Sequence, residues 1–454
     1  MAAESLSTLD NSFVTLERDG LPMHVGGLAV LDSASRPQGP IRQAELRTRL
    51  RRGMRSLPRL RSRLKEAPLG LRRPSWILDE RFQVDRHIEC WSLAPGSGWP
   101  ELLQLAGELH GRLLPRDRPL WRVSLIDGLP NGRQALLTMT HHAATDGIAG
   151  MEVTQAIFDR PRRPSAQPHP QPASGFFGSS GTPDRVTRAL QATVGVARYL
   201  AGGPIALPGP FNGVVGPKRA LATADLRLDE ARMIKQRLGG SVDDVVLASV
   251  ALALGRLLER RGLLIEGVRL RAMVPVSTRA GADGLGNHVS ATFLDLPIDL
   301  PPVQCLHDVA AAKALHRTWH EPLGLKVAAE AAGLVSPLLA GPLTWVVCSM
   351  PFANLIVSDI PGPAEPLSLL GAPMIGAYPL MPITATVGLA IGVVTIGGSM
   401  GVGVTTDPEL VPDGAELARE IGEGFAALLH AARQQPHRQR SHSPSQGRQD
   451  HVAQ

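Results

Sequence analysis

The chain has 454 residues, enough for two or three domains of ordinary size. Hydrophobic residues make up 43% and charged residues 19%, which excludes wholesale disorder, while 47 Gly and 39 Pro imply many turns. A net charge of +6 suits nucleic acid, an anionic membrane or a phosphorylated ligand, but the charge is unevenly spread.

Twelve Arg or Lys lie within 41–73 against Glu45 and Glu66, and a smaller basic excess starts at Arg433, so the remainder is mildly acidic. No nucleic-acid-binding signature is present, and no nucleic-acid partner is expected. The opening MAAESLSTLDNSF carries acids and lacks the basic and apolar regions of a signal peptide. Cys90, Cys305 and Cys348 are odd in number, far apart and outside any metal spacing. They imply a reducing compartment without a disulfide framework, and a cytoplasmic location is expected.

Residues 1–160 read as a mixed α/β domain with strands at 22–32, 120–127 and 134–140. Within it, Leu46, Leu50, Met54 and Leu57 recur at helical spacing, surrounded by Arg47, Arg49, Arg51, Arg52 and Arg55. Such a helix can lie on anionic lipid, but a core-packed helix with a solvated polar face is the favoured reading. Cys90, beside Trp91, reads as buried. Residues 161–215 are Pro/Ser/Gly-rich, with a helix near 185–201, and read as a crossover linker.

A second domain spans 216–433. Its first element is a long helix over 229–261, broken at Gly239-Gly240, with Ser241 or Asp243 capping the continuation. Strands follow at 268–275 and 289–298. The uncharged stretch 331–357 is long enough to span a bilayer, but Pro337, Pro342 and Pro351 divide it and Asn354 interrupts it. A second uncharged stretch, 372–406, reads as a doubly buried hairpin of Val387–Ile396 and Met400–Thr406 around Gly397-Gly398-Ser399. Residues 434–454 are polar and are expected to be disordered.

Chemistry concentrates in His141-His142-Ala143-Ala144-Thr145-Asp146-Gly147, between a strand and a helix starting near Ile148. Neighbouring strand residues point to opposite faces, so only one histidine can face a given cavity. A neutral imidazole there can act as a general base. Asp146 equally suits a helix N-cap, and Gly147 a tight turn or open space for a ligand. His316 and His320 are four apart on a helix, but with no further ligand pattern they read as a polar face, and no metal is expected. There is no phosphate-binding loop or dinucleotide fingerprint, and the G-x-S-x-G string Gly397–Gly401 falls in the hairpin turn read above, not in a strand-to-helix elbow.

His-His-x-x-x-Asp-Gly resembles the motif shared by chloramphenicol acetyltransferases, plant alcohol acyltransferases and peptide-synthetase condensation domains. Further segments narrow the resemblance: Leu6–Asp10, Pro22–Gly26, Pro58–Leu64, Arg118-Pro119-Leu120-Trp121, Val274–Arg279, Gly286-Asn287-His288 and Pro361-Gly362-Pro363. In that order they are similar to the bacterial wax ester synthase/diacylglycerol acyltransferase family, over about residues 5–430. Two positions depart from it. Asp243-Asp244 stands where the family usually has Asn-Asp, and Asp359 where it has Asn, which puts efficiency and acceptor choice in question.

The resemblance implies an α/β (α+β type) fold of two chloramphenicol-acetyltransferase-like domains, with mixed sheets flanked by helices and a channel between them. It implies acyl-CoA as co-substrate with no other cofactor, and a lipid alcohol such as diacylglycerol or a long-chain fatty alcohol as acceptor. His142 would take the hydroxyl proton in a direct transfer, with His141 orienting the loop. Asp146 would pair with an arginine, for which Arg279 is the candidate. Pro119, Leu120, Trp121, Asp243, Asp244 and Asn287 would bind substrate or support the structure. The same motifs suit an acyltransferase for a different alcohol acceptor, or a catalytically weak paralogue held on lipid inclusions through 41–57 and 331–357. Peripheral membrane association fits each of these readings.

Overall fold

A computed structural model of the chain describes residues 4–67, 72–145, 147–159, 206, 209–277, 289–318 and 352–435. Outside them lie Asp146, Arg279, Asn287, His320, Cys348, the segment 185–201, most of the linker, residues 331–351 and the tail from 436.

The chain opens with strand β1 (Glu4–Ser5) and helix α1 (Thr8–Leu16), whose N-cap Ser7 accepts from the Asp10 amide at 3.0 Å. Strand β2 (His24–Leu31) leads to helix α2 (Gln43–Gly53). That helix buries Leu46 and Leu50, with Met54 and Leu57 buried beyond its end. The basic helix is therefore core-packed. On its outer side Arg47 and Arg51 pair with Asp85, and Arg49 with Asp159.

Strands β3 (Ser62–Lys65) and β4 (Ser75–Leu78) join β1 in a small antiparallel sheet. Then come strand β5 (Ile88–Ser92), helix α3 (Trp99–His110), strands β6 (Trp121–Asp127) and β7 (Gln134–His141), and helix α4 (Gly147–Ile157). Cys90 corrects one expectation: it is exposed. It sits on an edge strand, where Trp91 turns towards the core instead.

The second half begins with strand β8 (Ala220–Arg227) and helices α5 (Leu228–Leu238) and α6 (Val242–Arg260). The helix expected over 229–261 is split where Gly239 and Gly240 take φ of 93° and 78°. Ser241 caps α6, and Asp244 Oδ2 returns a bond to the Ser241 amide at 2.8 Å. Strands β9 (Arg269–Ser277) and β10 (Val289–Pro297), helix α7 (Pro302–Thr318) and strands β11 (Leu355–Pro361), β12 (Ser368–Leu369) and β13 (Ala372–Leu380) follow. Strands β14 (Leu389–Ile396) and β15 (Ser399–Thr406) form the expected hairpin, turned by Gly397 and Gly398, both at positive φ. Helix α8 (Gly414–Gln434) packs along α6 over the largest core.

Two six-stranded mixed sheets result, ordered β12-β13-β2-β7-β6-β5 and β10-β9-β11-β14-β15-β8. The first borrows β12 and β13 from the second half of the chain. There β13 crosses β15, and close approach depends on Gly401 and Gly403. A Cβ at either would overlap the backbone carbonyl of Ala377 or Pro379.

Candidate active site

Between the sheets lies a cavity of about 650 Å³. One wall carries Leu28, Val123 and Val153, the other Val274, Val357 and Met381, so it is largely apolar. His142 lies in that wall, immediately after β7. Its amide donates to the Met23 carbonyl at 2.8 Å. The half-buried ring lies flat on Phe13 of α1, with 4.0 Å between centroids and 11° between planes.

His141 ends β7 opposite His24 of β2 and is fully buried. Its amide donates to the Leu120 carbonyl at 2.9 Å, and its Nδ1 accepts from the Ala143 amide at 3.0 Å. That bond leaves the proton on Nε2, which lies 3.3 Å from Glu17 Oε1, off the straight line of a good hydrogen bond.

Glu17 itself is buried, and burial alone would raise its pKa. Instead His141, the Met23 amide and Arg116 hold the carboxyl down to about 2, with Arg116 Nη2 at 3.2 Å from Oε2. The turn bearing His142 is thus tied through Glu17, Met23 and Leu120 to the segments that follow α1 and that lead into β2 and β6.

Pro119 and Leu120 are buried packing residues, Leu120 against Ala143 and Ala144. Trp121 differs, because it lines the cavity. Its Nε1 donates to the Leu60 carbonyl at 2.7 Å, and its ring stacks on His87 at 4.2 Å.

On the opposite wall, Asp243 and Asp244 in the first turn of α6 face Lys313 of α7. Lys313 Nζ lies 3.2 Å from Asp243 Oδ2 and 3.0 Å from Asp244 Oδ1. Asp359 of β11 lines the same wall. The two positions that depart from the family's amides therefore line one cavity. Gly147 begins α4. Asp146, Arg279 and Asn287 lie outside the described residues.

Phe13, Glu17 and Lys313 escaped the sequence reading. No local motif marks them, since each meets its partner across at least 69 residues of chain. Only the acid at the end of an apolar helix, Glu17, offered any signal.

Residues 6–202 match the model of the wax ester synthase/diacylglycerol acyltransferase catalytic domain, and residues 285–429 that of the WS/DGAT C-terminal domain. The chain belongs to the wax ester synthase/diacylglycerol acyltransferase family. It is accordingly an acyltransferase. Two Mycobacterium tuberculosis relatives, named as probable diacylglycerol O-acyltransferases tgs2 and tgs1, are 32% and 28% identical. Each alignment covers 93% of this chain, with 98% of tgs2 and 95% of tgs1.

The fold is similar to the wax ester synthase/diacylglycerol acyltransferase from Marinobacter aquaeolei VT8, at TM-score 0.68 and 22% identity over 94% of this chain and 99% of that one. It is also similar to the first condensation domain of the calcium-dependent antibiotic synthetase, at TM-score 0.62 and 16% identity over 96% and 97%. The family and the two-domain acyltransferase fold expected from the motifs are both confirmed. Among the described residues no helix is long and apolar enough to cross a membrane.

Proposed function

We propose that this acyltransferase moves a fatty acyl group from acyl-CoA to diacylglycerol, making triacylglycerol, or to a long-chain alcohol, making a wax ester. The observation that carries the reading is His142, stacked and anchored in the wall of an apolar cavity. The imidazole accepts the hydroxyl proton as the alcohol oxygen attacks the thioester carbonyl. Collapse of the tetrahedral intermediate forms the ester and expels the CoA thiolate, which takes the proton back from the imidazolium. No acyl-enzyme, metal or prosthetic group enters this scheme. The apolar walls favour an alcohol over water as acceptor.

The acceptor and the acyl chain are lipidic, and Arg51 and Arg52 of α2, with Arg55 just beyond its end, are exposed. We read the chain as working at an anionic lipid surface, as a peripheral protein. Sedimentation with anionic vesicles that is lost in high salt would support this, and equal indifference to anionic and neutral vesicles would refute it.

The deciding assay follows CoA release from palmitoyl-CoA, with diolein or hexadecanol as acceptor. Acceptor-dependent release is expected, falling about 10²–10⁴-fold in His142→Ala. Folded wild-type protein silent with both acceptors, or an unimpaired His142→Ala, would overturn the proposal.

A further inference from the structure

Met23 and His24 stand where the chain enters β2, and between them they bond to the turn bearing His142, to Glu17 and to α3. The Met23 carbonyl accepts from the His142 amide at 2.8 Å, and the Met23 amide donates to Glu17 Oε1 at 3.3 Å. His24 Nε2 donates to the carbonyl of His110, the last residue of α3, at 2.7 Å. A carbonyl only accepts, so the ring's proton is on Nε2. Burial keeps the ring neutral, with its pKa at about 4, and Nδ1 has no hydrogen-bond partner among the described residues. An apolar side chain here would avoid the cost of burying that nitrogen. What it could not supply is the bond to α3.

The same segment has a second anchor. Arg219, just before β8 and 7% exposed, donates from Nη2 to the Gly20 carbonyl at 2.8 Å. Its Nη1 donates to the Gly216 and Lys218 carbonyls, each at 2.7 Å. A guanidinium is charged at any working pH, and its hydrogen bonds are correspondingly strong. Residues 20–24 are thus held both to α3 of the first half and to the second half of the chain. Neither His24 nor Arg219 lines the cavity, so any effect on His142 passes through the backbone.

We propose that His24 and Arg219 are positioning residues for acyl transfer: they brace residues 20–24, so that the Met23 carbonyl holds the His142 amide and keeps the imidazole aligned in the cavity wall. The catalytic half of the proposal rests on the acyl-transfer reading; the bracing does not. A displacement of about 1 Å can cost about a hundredfold in rate. The apolar walls that hold the substrate are untouched, so loss of either anchor lowers kcat and spares KM.

Hydrogen exchange at the His142 amide tests the bracing without substrate. In His24→Leu and in Arg219→Gln it is expected to speed up about tenfold or more, while amides 136–139 in the middle of β7 exchange as in wild type. Acceleration of both groups alike would reveal general loosening, and unchanged His142 exchange in both variants would mean that the anchors hold nothing. Either result would overturn the proposal.

His24→Gln is the rescue. Its amide nitrogen reaches nearly the same point as the histidine Nε2 and can donate to the His110 carbonyl. In the CoA-release assay, kcat is expected to fall about ten- to a hundredfold in His24→Leu and Arg219→Gln, with KM for palmitoyl-CoA within about twofold. His24→Gln is expected to recover most of that loss. A kcat as low in His24→Gln as in His24→Leu, or a change in KM alone, would overturn the positioning role. Wild-type protein silent in the assay would sink the acyl-transfer reading, and exchange at His142 would still decide the bracing. If one anchor variant fails to fold, the other poses the same question.

Discussion

The His142 imidazole and the Phe13 ring lie face to face, 4.0 Å apart and within 11° of parallel, although 129 positions separate them in the chain. The contact makes α1 a backstop for the ring in the cavity wall. A flat aromatic face restricts tilting in a way that an aliphatic side chain of similar volume does not.

Phe13→Leu is therefore expected to lower kcat by about ten- to a hundredfold through loss of alignment, with KM for palmitoyl-CoA nearly unchanged. Initial rates at several palmitoyl-CoA concentrations separate the two parameters, with a thermal melt as the folding control. Wild-type kcat in the folded variant would show that Phe13 does not align the ring.

Glu17→Gln tests the support behind His141. The glutamine keeps the shape of the buried side chain but removes the charge shared by His141 and Arg116. Glu17 ionises in the folded chain at about pH 2, below its ordinary value, so its stabilisation is present above that ordinary value and fades as pH falls through about 2. At neutral pH the variant is expected to be less stable by about 1–3 kcal/mol, measured by urea unfolding. Equal midpoints and slopes for the two proteins at pH 7 would contradict this.

Three buried histidines set the acid limit. Burial holds His24 and His87 down to about 4, against the pull of the His110 and Trp121 carbonyls, and burial drives His110 well below its ordinary value. The unfolded chain binds these protons more readily, so stability is full above the ordinary histidine pKa and lost as pH falls from about 6.5 towards 4. Neither ring nitrogen of His110 has a hydrogen-bond partner among the described residues. His110→Leu is expected to flatten the acid decline in melting temperature between pH 7 and 4.5. An unchanged slope would show that His110 does not contribute.

Local signals carried the sequence reading where structure is local. The short apolar run of β7, the Gly397-Gly398 turn and the break at Gly239-Gly240 each depend on a few adjacent residues, and each was legible. The histidine pair was legible for the same reason, because a strand-to-helix turn fits within seven residues. What lay beyond reach was pairing at a distance. Nothing near Ala372–Leu380 shows that this strand leaves its own half to hydrogen-bond β2, and nothing near Asp243 points to Lys313. Cys90 was misjudged because an apolar neighbour says little about which face of an edge strand is covered.

That borrowed strand can be tested at its crossing. Gly403 of β15 lies so close to the Pro379 carbonyl of β13 that a methyl group cannot enter without parting the two sheets, and Pro379 and Met381 line the cavity at that point. Overpacking of this kind costs about 1–3 kcal/mol, so Gly403→Ala is expected to melt several degrees below wild type. Gly422 on α8 is the control, since an added Cβ there meets nothing within 4 Å. Gly422→Ala is expected to match or exceed wild-type stability through better helix propensity. Because the crossing also shapes the cavity, Gly403→Ala is expected to lose acyl transfer at temperatures where it remains folded, while Gly422→Ala retains it. Equal melting temperatures for the two variants would mean that the sheets do not meet closely at Gly403.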